Sequence, residues 1–148
     1  MYSLLFLGIM AALALAFVVA LVVTVDDWSR DLTTNTAATA EDHPLPALRP
    51  LVVDDPPSEL ANRVEAAAAA LPRWKVISRS GDDKGIQIHL TRTTPLWRFV
   101  DDIRVTIKPE NGRTVLRATS QSRVGKGDLG QNPRNLRELL DKLRAAES

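Results

Sequence analysis

The sequence predicts an α+β protein: an N-terminal transmembrane helix, then a helix, an antiparallel meander of about four strands, and a closing helix. Three observations carry this reading. No charged residue occurs from Ser3 to Val25. Apolar and polar residues alternate three times in the middle of the chain, the period of half-buried strands. Segments with helical apolar spacing lie on either side of those strands. The chain divides into an anchor over 1–25, a linker over 26–50 and an α+β domain over 51–148.

The first segment is rich in Leu, Ala and Val and has no polar stripe. Hydrocarbon about 30 Å thick needs about 20 helical residues, and this run supplies them. Ala14-Leu15-Ala16 and Ala38-Thr39-Ala40 have the form of cleavage sites. Apolar sequence continues past the first, and the second lies too far beyond the apolar core, so an uncleaved anchor is expected. Asp26, Asp27 and Asp31 follow, with Arg30 the one nearby cation. An acidic flank and a Thr/Ala/Asn linker place the domain on the exported side, which in a bacterial cell is the periplasm. Trp28 reads as an interfacial anchor residue.

The linker ends in Pro44, Pro46 and Pro50 and has no apolar period. Such sequence cannot bury enough surface to fold alone. Helix-start signals follow at Asp54-Asp55-Pro56-Pro57-Ser58, and Leu60, Val64, Ala67, Ala68 and Leu71 recur at helical spacing until Pro72. Trp74 to Ser80 is the first strand candidate. Ile86, Ile88 and Leu90 alternate with Gln87, His89 and Thr91, and Ile103, Val105 and Ile107 alternate with Arg104, Thr106 and Lys108. Asn111-Gly112 is a strong hairpin signal leading into Leu116, Ala118 and Ser120. In the last helix Asn132 is the expected N-cap, Pro133 the first helical residue, and Leu136, Leu139, Leu140 and Leu143 one stripe. Both helices would cover one face of the meander and leave the other wet.

Composition removes several chemistries. The chain has no cysteine, which excludes thiolate catalysis, Cys-based metal sites and disulfides. Its two histidines, His43 and His89, lie near no cluster of carboxylates in sequence. Neither a metal nor a cofactor is therefore expected. From Leu51 onward there are 17 Lys and Arg against 13 Asp and Glu, a mild surplus suited to an anionic partner. The open sheet face would be basic but lacks the aromatics that stack bases, so nucleic acid is not expected as a partner. Trp74, Trp97 and Phe99 read as core or rim packing.

Between the last strand and the last helix, Gly125, Gly127 and Gly130 spell G-x-G-x-x-G. A dinucleotide fold would need a further parallel strand and a ribose-binding acid, and only one helix follows. The loop still offers flexible backbone and a helix N-terminus, the elements of an anion site. Arg123, Lys126, Asp128, Asn132 and Arg134 are the candidate ligand-binding residues, with Asp101 and Asp102 as structural supports. In the alternative reading Asp128 and Asn132 satisfy the helix N–H groups themselves, and Arg123 pairs with Asp101 or Asp102.

Ser-Arg-Val-Gly-x-x-Asp-Leu-Gly-x-Asn, from Ser122 to Asn132, resembles the signature of the family called domain of unknown function 1499. Phe99-Val100-Asp101-Asp102 before the strand from Ile103, and Leu71 to Trp74, are similar to that family too. Gly127 and Pro133 stand where a small polar residue and an alanine are expected. The resemblance implies a bacterial or plastid protein, often with a membrane or export segment, and implies no activity.

The functional expectation is a membrane-anchored accessory or binding module of the cell envelope. Its partners would be the membrane, a lipid headgroup or other anionic small molecule, or an envelope protein. An enzyme is the alternative, with Ser120 or Ser122, His89 and Asp128 as a conceivable hydrolytic set, although no nucleophile-elbow sequence is present. A purely structural interaction domain is the third reading.

Overall fold

The computed structural model describes residues 2–24, 33–95 and 97–146. Trp28, Arg30, Asp26, Asp27 and Asp31, on which the expected orientation rests, lie outside the described residues. The protein is α+β: an N-terminal helix, an antiparallel meander and a C-terminal helix.

Helix α1 runs Tyr2–Thr24, 23 residues. It contains no charged residue, and its described side chains, 6–20 and 22, are all exposed. Counted over the described residues, no helix is long and apolar enough to cross a membrane.

The domain proper is a six-stranded antiparallel sheet carrying two helices on one face. Strands β3 (Trp74–Asp82), β4 (Gly85–Thr93), β5 (Val100–Glu110) and β6 (Arg113–Ser122) form the meander. The hairpin from β5 to β6 turns at Asn111 and Gly112, both with positive φ (51° and 78°), as a two-residue type I′ turn requires. Two short strands, β1 (Thr36–Ala38) and β2 (Leu51–Val53), both pair with β6, so together they form one interrupted edge strand. Residues 36–50 are thus part of the fold, which corrects the expected linker. The excursion between the two strands is a short 3-10 turn, Pro46–Leu48, that buries Leu48 in the core. Arg144 holds the turn by donating to the carbonyls of Ala47 and Arg49 at 2.9 and 3.1 Å. A proline-marked stretch read as linker joins the core because one leucine finds a partner that local sequence does not announce.

Helix α2 (Pro57–Ala70) opens on Pro56-Pro57, and its chain leaves in extended conformation at Leu71. Helix α3 (Gln131–Ala145) closes the domain. Ile86, Ile88, Leu90, Ile103, Val105, Ile107, Leu116 and Ala118 point toward them from the sheet and meet Leu60, Val64, Leu136, Leu139, Leu140 and Leu143. Trp74 joins this core and donates its indole N–H to Glu138, which also accepts from Arg92. Trp97 and Phe99 do not: they are 71% and 44% exposed.

Candidate functional site

Helix α3 starts where β6 ends, and the loop between them is closed by its own side chains. Gly130 takes the left-handed conformation (φ 75°) and is the residue before the first helical one, so Asn132 is not the N-cap and Pro133 not the first helical residue. Asp128 does the capping. Its carboxylate accepts from the backbone N–H of Gly130 and of Asn132, both at 2.9 Å. A negative charge at the positive end of the helix is favourable as well. The N–H groups that an anion would have used are therefore bound to the chain's own carboxylate.

Asn132 lies inside the domain, fully buried, and knits three segments together. Its amide N–H group donates to the Asn35 carbonyl at 2.7 Å, to Ser122 Oγ at 3.0 Å and to Asp128, while its oxygen accepts from Ser120 Oγ at 2.6 Å. One turn on, Asn135 donates to Asp101 Oδ2 at 2.9 Å and Ser120 Oγ at 3.1 Å, and accepts from Gln131. Asp101, Ser120, Asn132 and Asn135 are each no more than 1% exposed. Buried polar atoms are costly unless paired, and here each partner is supplied by a different element. Asn35 ties in the start of β1 by donating to the Gly125 carbonyl at 2.9 Å.

Asp102, next in sequence to Asp101, points to the opposite face, as strand geometry requires. Arg123 grips it with two parallel hydrogen bonds, Nε to Oδ2 and Nη2 to Oδ1, each 2.8 Å. His89 Nε2 lies 2.7 Å from Asp102 Oδ1. The Arg123 hydrogen bonds, partly offset by burial and helped by His89, lower the Asp102 pKa to about 2. Of the candidate residues, then, Asp128 and Asn132 come together as a clasp, Arg123 is engaged by Asp102, Lys126 is exposed on the loop, and Arg134 sits half-buried in the first turn of α3. The hydrolytic set is not assembled: Ser120 and Ser122 are buried with the asparagines, Asp128 caps α3, and His89 is on the other face of the sheet.

That other face carries no helix. Strand register sets its side chains in rows about 4.8 Å apart. One row reads Ser78, His89, Arg104, Thr119, and the next Ser80, Gln87, Thr106, Arg117. These residues line a groove of about 390 Å³. Arg117 is held by Glu110 at 2.6 Å and Glu41 at 2.7 Å. The Arg104 guanidinium is exposed and has no ion-pair or hydrogen-bond partner among the described residues. It is the one cation of the groove without a carboxylate among those residues. Sequence periodicity put Arg104 on this face but could not distinguish it from Arg117, because the carboxylates that engage Arg117 come from the far hairpin and from Glu41.

The family model for proteins of unknown function DUF1499 matches residues 26–143. The chain belongs to that family. The DUF1499 match begins well ahead of Leu51, in keeping with the pairing of residues 36–53 along β6. The buried clasp and the Arg123–Asp102 pair both fall inside it. No curated protein matches the chain. Among solved structures, the crystal structure of TTHA0849 from Thermus thermophilus is similar at 11% identity and a TM-score of 0.34, covering 76% of this chain and 99% of that one.

Proposed function

We propose that this DUF1499 protein is a single-pass, membrane-anchored binding module of the cell envelope whose open sheet face holds a small anionic molecule. The observation that carries the ligand half is Arg104: a guanidinium without a counter-ion, midway across a polar groove and flanked by His89 and Thr119. Arginine presents a planar fork suited to carboxylate or phosphate oxygens, and the neighbouring hydroxyls and imidazole add further polar groups. Since Asp128 occupies the α3 N-terminus, the groove is favoured over the loop as the place for an anion.

The membrane half rests on α1. Its 23 residues give a helix about 35 Å long at about 1.5 Å per residue, sufficient for hydrocarbon of about 30 Å. Apolar residues on every side suit a lipid surrounding better than a protein groove. The acidic sequence after it favours export of the domain.

Two measurements test the two halves. Carbonate-washed membranes should retain the full chain, and release into the wash contradicts the anchor. Mass spectrometry of detergent-extracted protein should find a discrete anionic species with the wild type and none with Arg104→Gln. Protein that carries no such species in either form contradicts the ligand assignment.

A further inference from the structure

One end of the sheet combines exposed apolar side chains, unpaired cations and strained backbone, and it is also the end where the chain from α1 joins the domain. The loop from β4 to β5 exposes Trp97 and Phe99, and the adjoining loop from β6 to α3 exposes Val124 (55%) and Leu129 (41%). The two loops are neighbours, because the Arg123 N–H donates to the Val100 carbonyl at 3.1 Å. Around them stand Arg73, Arg98 and Lys126, all exposed and none with an ion-pair partner among the described residues.

Three of the four non-glycine residues with positive φ sit here: Arg73 (67°), Arg98 (55°) and Leu129 (52°). Left-handed backbone is unfavourable for such side chains and concentrates where function requires it. Here it accompanies side chains that point into solvent, where packing offers no return. The opposite end differs in kind. Its turns carry Asp82, Asp83 and Glu110, and among the described residues no large apolar side chain is exposed there.

Asn35 fixes the geometry. Hydrogen bonds join it to Ser122 and Gly125, so the chain coming from α1 meets the sheet at the apolar end. Ten residues separate Thr24 from Asn35, a tether that cannot exceed roughly 40 Å. The far turns stand a further β-strand length away, about 35 Å for the longest strand.

We propose that this end of the sheet is a second membrane contact, with Trp97, Phe99, Val124 and Leu129 entering the headgroup region and Arg73, Arg98 and Lys126 meeting anionic lipid. Tryptophan settles at the bilayer–water boundary, and cations beside it select anionic headgroups. An exposed apolar patch ringed by charge is what an interfacial contact needs. The inference rests on the anchor reading, since α1 brings this end to the bilayer. It also orients the domain, leaving the groove around Arg104 on a sheet face that rises away from the membrane.

The absence of cysteine makes the test direct. Full-length single-cysteine variants Leu13→Cys, Val124→Cys and Lys84→Cys, each spin-labelled, are placed in phosphatidylcholine vesicles with and without phosphatidylglycerol. Collision with dissolved oxygen against a water-soluble nickel chelate then reports the depth of each label. The label at 124 should favour oxygen in the phosphatidylglycerol vesicles, the label at 84 should favour nickel, and Trp97→Ala with Phe99→Ala should return the label at 124 to water. A label at 124 that favours nickel while the label at 13 favours oxygen overturns this proposal and leaves the anchor standing. A label at 13 that favours nickel overturns both.

Discussion

Asp101 and Asp102 are adjacent in β5 and serve opposite faces of the same sheet. Asp101 is buried among Asn135 and Ser120, where its contacts hold α3 against the strands. Asp102 lies on the open face, shared by Arg123 and His89. The contrast extends to whole surfaces. The covered face is apolar except for one fully paired polar clasp, and the open face is polar with one cation left over. A sheet with helices on one side can hold its fold together on that side and leave the other available for a ligand.

The largest effect should come from breaking the clasp. Asn132→Ala leaves the Ser120 and Ser122 hydroxyls and the Asn35 carbonyl short of a partner, and the cost should be about 3 kcal/mol. Thermal unfolding followed by circular dichroism should show a midpoint lower by roughly 10–20 °C. An unchanged midpoint would remove the clasp from any structural role. Next comes Asp128→Ala, which strips the cap from α3 and should cost about 1 kcal/mol in a denaturant titration.

The Arg123–Asp102 pair should be weaker despite its geometry, because Arg123 is half-exposed and solvent screens it. A carboxylate whose folded pKa is lowered, here from 3.8 to about 2, stabilises the fold above its unfolded value. That contribution is lost as pH falls through the interval from about 4 to about 2. After discounting for screening it is on the order of 1 kcal/mol. The stability difference between wild type and Asp102→Asn should therefore shrink across that interval in acid, and a constant difference would contradict the pairing. Smallest of all in stability should be Arg104→Gln, within about 0.5 kcal/mol of wild type as for most surface changes. A large loss on that substitution would make Arg104 a structural residue and close the difference between the two faces.

The sequence made much of this division legible. The alternation in β4, β5 and β6 assigned each side chain to a face, and the leucine stripe of α3 assigned the covering helix. It was also clear that Arg123 needed a carboxylate and that Asp128 could cap. What stayed hidden depends on contacts between distant segments. Nothing near Asn35 or Leu48 announces that β1 and the 3-10 turn belong to the sheet, because their partners are some 70 to 100 residues away. Asn132 was misplaced as the cap because asparagine before a proline has the local chemistry of one. Its burial follows from Ser120 and Ser122 on the neighbouring strand. The groove was harder still to see, since it is defined by which arginine lacks a counter-ion.

The location of the ligand site is the point most open to direct measurement. Amide chemical shifts of the full chain in detergent, followed during titration with inorganic phosphate, would report it residue by residue. The expected result is movement centred on Gln87, His89, Arg104, Thr106 and Thr119, absent in Arg104→Gln, with the loop from Gly125 to Gln131 still. Movement centred on that loop, with the open face silent, would contradict the division of the two faces and return the anion to the helix terminus.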